Sequence, residues 1–441
     1  MIIKGDIKKA IKELKSDKNN AVAYVFENAK LQDKGILSNC VFTIKDNYAQ
    51  KNVECKASSL FLNNFKPQYN ATVINLLEQA GATCIARTNL DEFGLGGSGE
   101  YSAYGKVLHP QNKKYLVGGS SSGAAATFNE NISFAIGSDT GDSVRKPASN
   151  IGKCGFKPSY GAVSRYGLFA FATSLDTVAY FTHNVSDLIT LSSVLYKQDL
   201  KSDLTSKELS FEASSIKEQK PKTVCYLDCF DQLEDYVASS YQKFLDTLVA
   251  KGVNLIKIKV NEKLLKSIDT VYRIIAFSEA SSNLSNLAAI NFGMQQEGKN
   301  WEEIMINSRS KNLGKMVQSR LILGSYFLEQ ENQSKYFNQA KKMRRYLSNY
   351  FTKIHEQCDI FVFPASNASA PEDGKAYKSS YMDYILTYGN LVGNPSLTLK
   401  LGENPKNHMP FNISIDAKLY SDTKLMEYAL FIEKILGELY E

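Results

Sequence analysis

Three short runs gather the side chains that could do covalent chemistry, and all lie between residues 41 and 146. Lys45 ends a β-prone run, Val41-Phe42-Thr43-Ile44. Two later turns, Gly118-Gly119-Ser120 and Gly137-Ser138-Asp139-Thr140-Gly141-Asp142-Ser143, each present serine. A serine hydroxyl is a poor nucleophile until a base removes its proton. His183, His355 and His408 sit in contexts with no special feature and read as ordinary core or surface residues. A lysine kept neutral by burial could be the base instead, relayed through a second hydroxyl. Successive N–H groups from Thr140 to Ser143 could point into one concavity and hold a developing oxyanion.

Three other patterns compete for the same residues. Gly94-Leu95-Gly96-Gly97-Ser98-Gly99 matches the dinucleotide fingerprint, but polar Thr88-Asn89-Leu90-Asp91-Glu92 separates it from the preceding strand. Gly119-Ser120-Ser121-Ser122-Gly123 matches a hydrolase elbow with Ser121 as nucleophile, yet only Tyr115-Leu116-Val117 precedes it and no histidine stands out downstream. Ser143-Val144-Arg145-Lys146 matches S-x-x-K, in which the lysine sits one helical turn after the serine. Pro147 follows at once and should push Lys146 out of the α region, and the chain has no Lys-Thr-Gly. The lysine-and-two-serines arrangement uses all the pieces together.

The elements around these residues read as an α/β layer fold. Residues 8–15 form an amphipathic helix, 41–44 a strand, 71–80 a helix stopped by Gly81, and 83–86 a strand. From 90 to 167 glycine and serine crowd together, so the backbone must bend tightly or approach something closely. Residues 201–222 are polar and read as a surface excursion. Strands are expected at 224–227, 255–260, 360–364 and 396–399, with mostly helix from 264 to 350. Lys335, Lys341, Lys342, Arg344 and Arg345 make the most basic local segment, read as a solvated helix face in preference to an RNA or partner contact.

Composition narrows the function classes. The 441 residues are 43% apolar and 22% charged, which excludes wholesale disorder. A net charge of +6 permits nucleic-acid contact without arguing for it. Seven cysteines, at 40, 55, 84, 154, 225, 229 and 358, form no C-x-x-C pair or zinc spacing, so reduced thiols and no metal site are expected. No run approaches the ~20 apolar residues of a membrane span, and the N-terminus lacks a signal-peptide core. A soluble cytoplasmic protein is expected.

Residues 117–126, 137–148 and 155–168 resemble the serine segments of the amidase signature family and the stretch that follows them, and the likeness runs nearly unbroken from about 41 to 188. The resemblance implies one α/β/α sandwich over 1–441 around a large mixed sheet. Its catalytic core would span about 41–190, with a mainly helical substrate-side region at about 262–350. It also implies a Ser–cis-Ser–Lys triad: Lys45 as base, Ser120 as the bridging serine after a cis peptide, with Ser121 second choice, and Ser143 as the acyl-forming nucleophile. Thr140, Gly141, Asp142 and Ser143 would form the oxyanion hole.

Thr88-Asn89-Leu90-Asp91-Glu92-Phe93-Gly94-Leu95-Gly96 and Ser278-Glu279-Ala280-Ser281-Ser282-Asn283-Leu284 look like the branch that serves as glutaminase in glutamyl-tRNA(Gln) amidotransferases. That likeness implies that ammonia from glutamine passes to a B subunit, which uses ATP and Mg²⁺ on Glu-tRNA(Gln), while a small C subunit clamps the pair. The glutaminase itself would need no cofactor. Tyr272, Arg320 and Asp383 match the glutamine-holding positions. An Arg can pair bidentately with an α-carboxylate and an Asp can accept from an α-ammonium; a salt bridge between Arg320 and Asp383 themselves is the alternative. Asp142 and Phe277 depart from the family's usual glycine and small residue, and the lead-in before Lys45 is short. The rival readings are a stand-alone amidase on another amide and a weakly active scaffold subunit.

Overall fold

The computed structural model describes residues 2–376 and 379–439. Eleven strands form one sheet: β1 (Val22–Val25), β2 (Val41–Lys45), β3 (Thr83–Thr88), β4 (Phe134–Asp139), β5 (Cys154–Lys157), β6 (Thr177–Thr182), β7 (Thr223–Asp228), β8 (Asn254–Lys259), β9 (Ile360–Pro364), β10 (Ser396–Glu403) and β11 (Pro410–Asp416). Their order is β1-β3-β2-β4-β6-β5-β10-β11-β9-β7-β8. The sheet is mixed. β3, β2 and β4 run parallel, as do β9, β7 and β8, and the remaining pairs are antiparallel. Every residue of β2, β3 and β4 is buried, the pattern of strands covered on both faces. The helices around them bury apolar stripes against the sheet, so this is the large mixed sheet with surrounding helices that the resemblance implied.

The parallel trio decides where chemistry can happen. In register, Lys45 pairs with Thr88 and Ile44 with Ile136, so the carboxyl ends of β2, β3 and β4 open at one edge of the sheet. Loops leaving those ends carry the glycine- and serine-rich runs. Ligand crevices in α/β sheets form outside such strand ends. Close approach explains the glycines there: a Cβ on Gly119 would collide with Asp91 Oδ2, and one on Gly123 with the carbonyls of Ala21 and Asn89.

Several expected elements stand with slightly longer bounds, among them helix Ile7–Lys15 and strand Thr83–Thr88, while Ile360–Pro364 has the expected bounds. The region expected to be mostly helical contains Glu262–Asn283, Trp301–Asn312, Lys315–Leu328 and Phe337–His355. Two readings are corrected. Lys146 is helical despite Pro147, because helix Arg145–Ile151 begins just before it; a proline in the first turn lacks only an N–H that would have no intrahelical acceptor. The basic segment is not one solvated face either. Lys335, Lys341, Lys342 and Arg345 are exposed, but Arg344 turns inward, donating to Leu391 O at 2.9 Å, Ser174 Oγ at 2.7 Å and Ser174 O at 2.9 Å.

Behind the strand ends lies a buried ion pair. Arg145 Nη2 lies 2.9 Å from Asp139 Oδ1, with neither side chain exposed. The same guanidinium donates to Gly141 O, Leu386 O, Ser396 Oγ and Asn390 Oδ1, joining β4 to segments some 250 residues later. Removing one partner of such a pair leaves an uncompensated buried charge. Arg145→Met is therefore expected to lower unfolding free energy by about 3–5 kcal/mol, read as a fall in the urea midpoint at unchanged m-value.

Candidate active site

Lys45 is fully buried at the end of β2. Its Nζ lies 2.7 Å from Ser120 Oγ, 2.9 Å from Ser138 Oγ and 3.4 Å from Ser138 O. Burial pulls its pKa down from the usual lysine value to about 7, against the opposing pull of Asp91, Asp139 and Asp176. Neutral amine is thus available near neutral pH. The three contacts orient it. Ser138 O can only accept, and Ser138 Oγ also receives Asn47 Nδ2 at 3.1 Å. A neutral Nζ that donates its two N–H groups to Ser138 has its lone pair left for the Ser120 hydroxyl.

The two serine turns are tied together. The Gly119–Ser120 peptide is cis, and Ser121 N donates to Ser143 O at 3.1 Å. Ser120, not Ser121, meets the lysine; Ser121 Oγ instead donates to Ser138 O at 3.2 Å. Beneath the first turn, buried Asp91 accepts the N–H groups of Gly99 at 3.2 Å and Tyr101 at 2.8 Å, which fixes the loop from 96 to 101. The second turn hangs between Asp139 and Arg145. Asp139 Oδ2 accepts Val144 N at 3.0 Å, Arg145 Nη2 donates to Gly141 O at 2.8 Å, and Thr140 Oγ1 donates to Asp176 Oδ1 at 2.7 Å. Among the described residues, no protein acceptor takes the backbone N–H groups of Thr140, Gly141, Asp142 and Ser143. Four such donors beside a hydroxyl, in a turn braced from both ends, form a concavity suited to an anion. The structure records no hydrogen bond between the hydroxyls of Ser120 and Ser143.

A cavity of about 970 Å³ opens beside this turn, reaching it at Gly141 and Asp142. Ser143 lies just behind, 5% exposed. Tyr272, Arg320 and Asp383 line the same cavity. Tyr272, on helix Glu262–Asn283, packs so tightly on the turn that a Cβ on Gly141 would lie 3.1 Å from its ring. Arg320 comes from helix Lys315–Leu328, its guanidinium 5.0 Å from the centre of the Phe277 ring. The unusual phenylalanine is thus the shelf under the arginine. Asp383 caps the helical turn Tyr381–Thr387, accepting Ser380 N at 2.9 Å and Ser379 Oγ at 3.0 Å. No ion pair joins Arg320 to Asp383 among the described residues, so the guanidinium is free for a ligand. Sequence reasoning missed Ser138 as a lysine partner, and it missed Asp91 and Asn390; no local pattern marks any of the three.

Among the described residues there is no group of three His, Cys, Asp or Glu that could hold a metal, and no helix long and apolar enough to cross a membrane. No described histidine lines the cavity.

The family model described as Amidase matches residues 6–426. The chain is 36% identical over 433 residues to the A subunit of glutamyl-tRNA(Gln) amidotransferase from Mycoplasma genitalium, covering 95% of this chain and 90% of that protein. It is 34% identical over 443 residues to the protein of the same name from Campylobacter lari, covering 98% and 96%. A crystal structure of the A subunit of glutamyl-tRNA(Gln) amidotransferase from Thermotoga maritima superposes with a TM-score of 0.80 at 28% identity, over 97% of this chain and 94% of that one.

The geometry sets a pH signature for Ser143. Lys45 can accept a proton only when neutral, so reactivity should fall as pH drops through its folded pKa of about 7. Labelling by a serine-directed fluorophosphonate, followed by mass spectrometry, should map to Ser143 and rise with pH to a plateau with a midpoint near that value. Ser143→Ala and Lys45→Ala should each abolish it.

Proposed function

The chain belongs to the amidase family, and from that premise we propose that it is the glutamine-hydrolysing subunit of a tRNA-dependent amidotransferase. The observation that carries this reading is the free Arg320 guanidinium in the cavity that ends at the Ser143 turn, with Asp383 in the same cavity. The α-carboxylate of glutamine would pair with Arg320 and its α-ammonium with Asp383, while Tyr272 packs along the chain between them. The side-chain amide would then lie at Ser143. A fatty or aryl amide has neither group for the arginine and the aspartate to meet.

Ser143 Oγ attacks the amide carbonyl while its proton passes to Ser120 Oγ and that of Ser120 passes to Lys45 Nζ. The negative charge that develops on the carbonyl oxygen meets the N–H groups of residues 140–143, which are already aimed and need no reorganisation. As the tetrahedral intermediate collapses, the carbon–nitrogen bond breaks and the proton returns along the same relay to the leaving nitrogen, which departs as ammonia. Water then attacks the γ-glutamyl ester with the relay again accepting the proton, and glutamate and free Ser143 result.

Ammonia alone does not amidate a carboxylate, so the acceptor must be activated elsewhere. The names of its relatives support partners for this chain, a B subunit that activates Glu-tRNA(Gln) with ATP and Mg²⁺ and a small C subunit. Transfer RNA would be engaged mainly through the B subunit. In this reading the chain works in the cytoplasm with no cofactor of its own.

Glutamate release from glutamine by this chain co-expressed with B and C subunits is the test. Ser143→Ala should abolish release while the complex still forms. Arg320→Met should raise KM by about 30–100-fold, the loss of a charge-assisted pair of roughly 2–3 kcal/mol, with a smaller change in kcat. Absence of release by the wild-type complex, even with Glu-tRNA(Gln) and ATP, would contradict the assignment.

A further inference from the structure

An aspartate next to the nucleophile, in the turn whose N–H groups face the cavity, poses an electrostatic problem. A carboxylate there opposes the oxyanion that those N–H groups would hold. Asp142 lines the cavity, and its carboxylate has no hydrogen bond or ion pair to protein among the described residues. Lys146 is in the same condition four residues on: it lines the same cavity and its ammonium likewise has no such partner. The spacing is that of one helical turn, and the turn is formed, because Lys146 N donates to Asp142 O at 2.8 Å. Both side chains therefore share a face.

We propose that Lys146 is the counter-charge that allows an aspartate to stand in the oxyanion turn, a positioning residue that keeps the field at Ser143 favourable when Asp142 is ionised. The proposal rests on the reading of Ser143 as nucleophile. Other charges nearby are already committed or lie elsewhere. Arg145 is consumed by Asp139, Gly141 O and Asn390. Tyr272, from helix Glu262–Asn283, packs on the turn and is itself held protonated by burial. Arg320 lies over Phe277, and Asp383 faces Lys146 from the helical turn Tyr381–Thr387. Burial first, and then Asp139, push the Asp142 carboxyl up to about 7, while Lys146 and Arg145 pull it down. Asp142 thus changes charge in the range where Lys45 becomes competent.

Without Lys146 the Asp142 carboxyl would titrate at higher pH, and its ionised form would stand uncompensated beside the reacting carbonyl. The wild-type rate should rise with pH through Lys45 and then stay level. Lys146→Met should add an alkaline limb, with kcat falling about tenfold or more above it. Asp142→Asn in the Lys146→Met background should remove that limb. Lys146→Arg, which keeps the charge and guards against a folding defect in the methionine variant, should retain the plateau.

The experiment is kcat for glutamate release against pH for the wild-type, Lys146→Arg, Lys146→Met and double-variant complexes. A plateau in Lys146→Met, or an alkaline limb that survives Asp142→Asn, overturns the proposal; in the second case Lys146 serves Asp383 or the substrate instead. An inactive wild type would instead overturn the glutaminase reading, so the two failures are distinguishable.

Discussion

The structure depends on the removal of water from one lysine. An amine in water holds its proton far above neutral pH and cannot serve as a base at pH 7. At the end of β2 it has no solvent contact, and burial brings its pKa to about 7. That condition restricts everything around it. β2 has to be an interior strand, flanked on both sides by parallel partners, so that no sheet edge admits water to its carboxyl end. The neighbouring groups have to be small and polar, which explains the two serines around Nζ and the crowded glycines around them. Carboxylates must stay at a distance, since each would favour the charged amine; Asp91 and Asp176 are buried and engaged by N–H and hydroxyl donors instead of touching Lys45.

The second constraint is rigidity of the turn that faces the substrate. Backbone donors help a transition state only when their direction is fixed beforehand. Asp139 and Arg145 hold the turn from its two ends, and Ser121 N fixes its distance from the lysine-bearing side through Ser143 O. The recognition end is built separately, on helices packed over the strand ends. Glu92 links the two parts. Its carboxylate accepts from the Ser59 hydroxyl and from Gly314 N at 2.7 Å, at the start of the helix that carries Arg320. Binding and chemistry are thus mounted on different elements and joined by a few buried polar contacts.

How much of this could be read in the sequence follows the range of the interactions. Lys45 and the two serine turns were legible because a strand, two glycine-serine turns and their order lie within about a hundred residues of chain. The tight backbone approaches were legible as glycine crowding. Strand β4 was not, because Phe134-Ala135-Ile136 passes at once into Gly-Ser-Asp and reads as a loop; its burial comes from neighbours contributed by distant segments. Asn390 braces a turn some 250 residues earlier, and nothing near it in the chain says so. Phe277 looked like an anomaly until Arg320 was placed above it. The pre-proline rule misplaced Lys146 because helix starts tolerate what helix interiors do not.

The central claim is that buried Lys45 activates Ser143 to carry an acyl group. Its most direct test is acid quenching of the complex during turnover of glutamine, followed by peptide mass mapping. The account predicts one glutamyl group on the peptide containing Ser143 in the wild-type complex, and none when Lys45 is replaced by alanine. A glutamyl group on any other residue, or acylation of Ser143 that persists unchanged without Lys45, would contradict it.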